Sequence, residues 1–201
     1  MPKLRRAVAW SVDFTLVVAA ASLLAVLTFN RISTLFADVP DLATRSGWEL
    51  VTSRGDVVEA SQGLGLSLWN KTVLYVEQAF GALVVIAFLY QWACLALLGR
   101  TIGKALLGLR VESAARGRAA LRAAVTTVAD VLVYALACVL LIEGQFVLSV
   151  LVWAAAVVFF LLNAVPVLSP GGRSLADRVA GTTVTALGFS TPAAMRPVRT
   201  S

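Results

Sequence analysis

Four long apolar runs dominate this sequence and leave it few ways to fold. A bilayer core about 30 Å thick requires roughly 20 predominantly apolar residues in a helix, and residues 7–28, 73–98, 123–142 and 146–168 each meet that requirement. Of the 201 residues, 59% are hydrophobic and 14% charged, against roughly 25% charged in a soluble domain. The sequence therefore predicts an all-α membrane protein: one domain over residues 1–201, with four transmembrane helices. The net charge of +6 does not make it a nucleic-acid binder, because too little water-exposed chain remains to present that charge.

The basic residues set the orientation. Three open the chain (Lys3, Arg5, Arg6), six fall in the loop 99–122, and four follow residue 168, whereas four lie in the loop 29–72 beside five acidic residues. Loops rich in Lys and Arg stay cytoplasmic, so both termini, the basic loop 99–122 and the tail 169–201 are expected in the cytoplasm. The basic start before an apolar run resembles a secretory leader, but Asp13 interrupts that run and three more spans follow, which argues against cleavage. The loop 29–72 is then extracytoplasmic, a small lid with Trp48 and Trp69 at headgroup level or a disordered connector. Residues 143–145 form a tight turn that makes the last two spans an antiparallel hairpin.

Catalytic chemistry has little to work with. With no histidine in the chain there is no imidazole base, no Ser-His or Cys-His pair and no ordinary zinc site. Cys94 and Cys138 fall inside apolar spans at depths about 15 Å apart, from the helical rise per residue, too far for a disulfide. No metal, no cofactor and no enzymatic activity is expected, and a lipid-acting enzyme has the least support of the functional classes.

Polar residues inside the spans carry the remaining information. Asp13 and Asp130 sit about 9 to 11 Å below the cytoplasmic edge, with Gln91 and Asn163 near the same level, so every helix contributes to one polar belt. A carboxylate in hydrocarbon must be neutral, paired or facing a wet cavity. Two readings follow: the carboxyls fasten neighbouring helices or a basic residue such as Arg6, Arg100, Arg173 or Arg178, or they form an ion or proton site.

Self-comparison finds an internal repeat. Residues 4–16, LRRAVAWSVDFTL, align with 121–133, LRAAVTTVADVLV, and residues 99–112, GRTIGKALLGLRVE, align with 172–185, GRSLADRVAGTTVT. Each unit reads as a basic entry, a helix bearing an Asp, a second helix and a GR motif. Two similar helix pairs in the same orientation are implied, related by an axis along the membrane normal.

These motifs in this order resemble the RDD family of bacterial membrane proteins, named for one arginine and two aspartates. The resemblance covers most of the chain except the first loop. It implies Arg6 (or Arg5) as the arginine, Asp13 as the first aspartate, and Asp177 as the second, with Asp130 the other candidate. Gly99, Arg100, Gly103, Lys104 and Gly108 carry the first motif, and Asp177, Arg178, Gly181 and Thr182 the second. It also implies a bacterial plasma membrane; about function it says little, cation/proton antiport having been attributed to some members.

The GR motifs are not phosphate loops: three residues, not four, separate Gly99 from Gly103, and Ala105 follows Lys104. An amphipathic cytoplasmic segment fits better, with Ile102, Leu106 and Leu107 on the membrane and Arg100 and Lys104 on anionic lipid headgroups. The β-prone runs 109–112 and 182–185 are expected to pair as a small clasp, and Asp177 to meet Lys104, Arg100 or Arg110. The functional readings are an accessory or structural subunit of a membrane complex involved in transport, docking on other subunits or its own copies, and a small cation/proton or solute transporter using Asp13 and Asp130.

Overall fold

The computed structural model describes residues 2–37, 57–112, 116–168, 175–181 and 183–186. Helix α1 spans Pro2–Ala37 and α2 spans Val57–Ala93, continued by a π-helical turn over Cys94–Leu98. A short helix α3, Ile102–Leu106, leads into strand β1, Leu109–Glu112. The third rod is continuous: α4 (Arg116–Thr127), a π-helical turn (Val128–Leu132) and α5 (Val133–Ile142). Helix α6 runs over Phe146–Leu168, followed by the short α7, Leu175–Val179, and strand β2, Thr183–Ala186.

Among the described residues, four helical stretches are long and apolar enough to cross a membrane: Ala7–Ala37, Gly65–Leu98, Gly117–Ile142 and Phe146–Asn163. Residue sizes are sorted as a lipid solvent requires. Ala9, Ala123, Ala137 and Ala156 are buried, whereas Leu23, Phe29, Leu97 and Val147 are exposed. Small residues let helix backbones approach closely where hydrocarbon supplies no hydrophobic drive between helices. A buried hydrogen bond from Ser149 Oγ to the Ala137 carbonyl, 2.7 Å long, ties α5 to α6. The turn between them is closed by Gly144 at φ 79° and by Gln145 N–H donating to Leu140 O at 2.8 Å.

The helices run further than the apolar segments. Residues 29–37 and 57–72, assigned from sequence to the first loop, are helical, and α1 at 36 residues is about 54 Å long. Arg31 and Lys71 bound the uncharged apolar runs of the sequence, but a charged residue does not stop a helix, which ends where caps and breakers lie. This hairpin of long helices replaces both the lid and the disordered connector over those residues; Trp48 lies outside the described residues. The third rod likewise begins before residue 123, inside what reads as the basic loop.

Strands β1 and β2 pair antiparallel in the register Leu109 with Ala186, Arg110 with Thr185, Val111 with Val184 and Glu112 with Thr183. Under the repeat alignment Val111 is equivalent to Val184, Arg110 to Thr183 and Glu112 to Thr185. Exchanging the halves therefore leaves the register unchanged: the pairing is symmetric under the repeat alignment. The short helices obey the same offset, Ile102–Leu106 corresponding residue for residue to Leu175–Val179. Each ends in a glycine with a left-handed backbone, Gly108 at φ 65° and Gly181 at φ 61°, a conformation that costs a Cβ-bearing residue energy.

Candidate functional site

Each short helix docks against the first spanning rod of its own half, α3 on α1 and α7 on α4, and the two dockings use opposite chemistry. In the first half the acid is on the long helix. Asp13, 8% exposed, receives Tyr90 Oη at 2.8 Å and Gly103 N–H at 2.9 Å on Oδ1, and Thr101 Oγ1 at 2.5 Å on Oδ2. Ile102 N–H donates to Tyr90 Oη at 3.3 Å.

The geometry is that of a helix cap supplied from elsewhere. Thr101 is the N-cap residue of α3, with an extended backbone, yet its side chain makes no capping bond of its own. Its hydroxyl goes to Asp13, and the first N–H groups of α3, which have no partners within the helix, are met by Asp13 from α1 and Tyr90 from α2. A carboxylate at a helix N-terminus also suits the helix dipole. The fit is tight: a Cβ on Gly103 would lie 2.1 Å from the Ala9 carbonyl oxygen and 3.0 Å from Asp13 Cγ. The second glycine of the GR motif is therefore a requirement of close approach.

In the second half the acid is on the short helix. Asp177, 1% exposed, forms a buried ion pair with the guanidinium of Arg122, 6% exposed, near the start of the third rod. Ala176, the equivalent of Gly103, is buried at the same contact. Arg122 is the repeat equivalent of Arg5, and Asp177 of Lys104, so the same two positions that carry Arg and Lys in one half carry Arg and Asp in the other.

Asp130 belongs to neither docking. Asn163 Nδ2 donates to its Oδ1 at 3.1 Å, and the indole N–H of Trp10 is a second donor toward it. Trp10 is held there by Phe160 of α6, edge-on at 5.5 Å between ring centres, and by Phe14, stacked at 5.2 Å.

With this geometry the polar belt read from the sequence divides. Asp130 and Asn163 are together; Asp13 is in a separate cluster, and no described hydrogen bond joins the two carboxyls. Gln91 enters no hydrogen bond among the described residues, its place being taken by the neighbouring Tyr90. Of the basic residues read from the sequence as its partners, Arg178 is exposed and Arg100 half-buried, and neither pairs with Asp13 among the described residues, while the side chains of Arg6 and Arg173 lie outside the described residues. The backbone of the GR motif reaches Asp13 first because α3 folds up under α1. Tyr90, Thr101 and Arg122 were missed from the sequence. Arg122 was within reach, since the repeat aligns it with an entry arginine.

The RDD family model matches residues 2–181. This chain belongs to the RDD family. No curated protein and no solved structure matches it. As an RDD protein with four helices of spanning length, it is a multi-pass membrane protein. Of the residues the resemblance assigned, Asp13 and Asp177 are the two acids that fasten the short helices, and Gly103, Gly108 and Gly181 shape those helices' contact and exits. Gly99 ends α2 in a left-handed conformation at φ 66°; Lys104 is half-buried, and Thr182 lies outside the described residues.

Proposed function

We propose that this RDD protein is an accessory, structural subunit of a membrane complex involved in transport, seated in the bacterial inner membrane with both termini cytoplasmic. The observation that carries this reading is the engagement of Asp13 and Asp177 with partners inside the chain. Three donors surround one and a guanidinium the other, so they hold two short helices against the bundle and offer no open coordination to a passing solute. Four helices barely enclose a pathway, and the exposed apolar residues on them suit lipid, a second copy, or other subunits. Exposed Ile102 and Leu106 on α3 would rest on the membrane, with Arg100 and the exposed Arg118 at anionic headgroups.

Purification in a mild detergent, with identification of every bound chain, tests this. Other membrane subunits should co-purify, and the protein alone in vesicles should move no cation or proton. A lone chain that conducts, and loses conduction in Asp13→Asn at unchanged stability, would overturn it. Fusion reporters after residues 60, 115 and 195 should report outside, inside and inside.

One observation favours the second reading, a small cation/proton transporter: Asp130 takes no part in docking either short helix. Under that reading Asp130→Asn abolishes flux in a folded protein.

A further inference from the structure

The repeat isolates Asp130. Its equivalent, Asp13, is engaged as a cap for α3, but in the second half the docking role passes to Asp177 and Arg122, which leaves Asp130 with other neighbours. Three features distinguish those neighbours. The Asn163 side chain is 6% exposed and gives its N–H to Asp130, yet its Oδ1 has no donor. Thr127, one turn earlier on the same rod and 3% exposed, has an Oγ1 with no partner. The rod also adopts a π-helical turn over Val128–Leu132 around Asp130, where α1 around Asp13 is regular; such turns recur at functional sites.

A buried amide oxygen without a donor is unusual, and the chemistry of the pair supplies one. A carboxylic acid and a carboxamide are complementary at two points: the amide N–H donates to one carboxyl oxygen, and the acid O–H donates to the amide oxygen. The first of these bonds is present between Asn163 and Asp130; the free Asn163 oxygen is the acceptor for the second. We propose that Asp130 is a proton-binding site, its proton held between the carboxyl and Asn163 Oδ1, with Thr127 as the hydroxyl that serves the carboxylate when the proton leaves. On release the O–H bond of Asp130 breaks, the electron pair stays on the carboxylate, and the proton passes to water. Trp10 and the Asn163 amide remain as donors to the anion.

Among the described residues, the ionisable groups nearest it can be named. Tyr134, one turn further along the rod, faces Asp130. On α2, Tyr90 is bound to Asp13 and Cys94 lies toward Asp13 as well; on α4, Arg122 is bound to Asp177. From α1 and α6 the groups that meet Asp130 among the described residues are Trp10 and Asn163, neither of which titrates.

Infrared spectroscopy of the full chain in phosphatidylethanolamine and phosphatidylglycerol vesicles tests the site directly. At neutral pH the folded wild-type protein should show the carbonyl band of a protonated carboxyl group, which disappears in Asp130→Asn, shifts in Asn163→Ser, and persists in Glu112→Gln. Absence of that band from the wild-type protein overturns the proposal without any variant; so does a band that survives Asp130→Asn, or one that sodium ions remove at fixed pH, which would make the ligand a metal cation. The outcome is independent of the subunit reading above, since a resident proton requires neither a partner chain nor flux.

Discussion

Asp13 of α1 caps the N-terminus of α3, a helix that begins 89 residues later in the chain at Ile102, by accepting the Gly103 amide and the Thr101 hydroxyl on its two oxygens. The acid that looks, in the sequence, like an ion ligand inside the membrane is a fastener between the first spanning helix and the segment that follows the second. Its removal leaves Tyr90, Thr101 and the Gly103 amide short of an acceptor.

Gly103→Ala should damage the fold more than its size suggests. The added methyl meets the Ala9 carbonyl oxygen, which belongs to a helix backbone and cannot turn aside; overpacking of this kind costs about 1–3 kcal/mol or more. Gly81→Ala, with open space around it, removes a glycine from a helix interior and should be neutral or gain up to ~1 kcal/mol. Thermal unfolding in detergent of both variants checks the contrast; equal melting temperatures would mean that α3 does not dock as described.

The ribbon register predicts a cross-link. Residues directly opposite in an antiparallel pair have Cα atoms about 4.5–5.5 Å apart, inside the range a disulfide spans. With Cys94 and Cys138 replaced by Ala, Val111→Cys with Val184→Cys should oxidise to an intramolecular disulfide, while Val111→Cys with Thr183→Cys should do so much less. Gel mobility with and without reductant distinguishes them.

How far this was legible in the sequence follows from where each signal lies. The four spans are legible because bilayer thickness imposes a minimum apolar length, and the repeat because Arg5–Asp13 recurs as Arg122–Asp130 with the same spacing. The ends of α1 and α2 were not legible: Arg31 and Lys71 interrupt the apolar runs, and a helix passes through such an interruption. The partner of Asp13 was not legible either. Two of its three donors, Thr101 and the Gly103 amide, come from a segment whose sequence advertises its basic residues, and a backbone N–H has no signature in a sequence.

Asp177→Ala should lower stability by about 3–5 kcal/mol, because breaking a buried ion pair on one side strands the other charge, here Arg122. Glu112→Ala, on the ribbon, should change it little. The double change Arg122→Met with Asp177→Leu should be less harmful than Asp177→Ala alone, since no charge is then left buried. Melting temperature and membrane expression level are the readouts, and a double variant worse than the single one would remove the ion pair from the account.

Thermal unfolding of a double-mutant cycle between Asp13→Ala and Tyr90→Phe is the most direct test of the central claim, that the intramembrane acid is a structural cap. Each single variant should unfold at a lower temperature, Asp13→Ala by ~3 kcal/mol or more because several buried donors lose their acceptor. Tyr90→Phe should cost much less when Asp13 is already gone, a coupling of roughly 0.5–3 kcal/mol. An Asp13→Ala protein that unfolds at the wild-type temperature, or strictly additive losses, would contradict it.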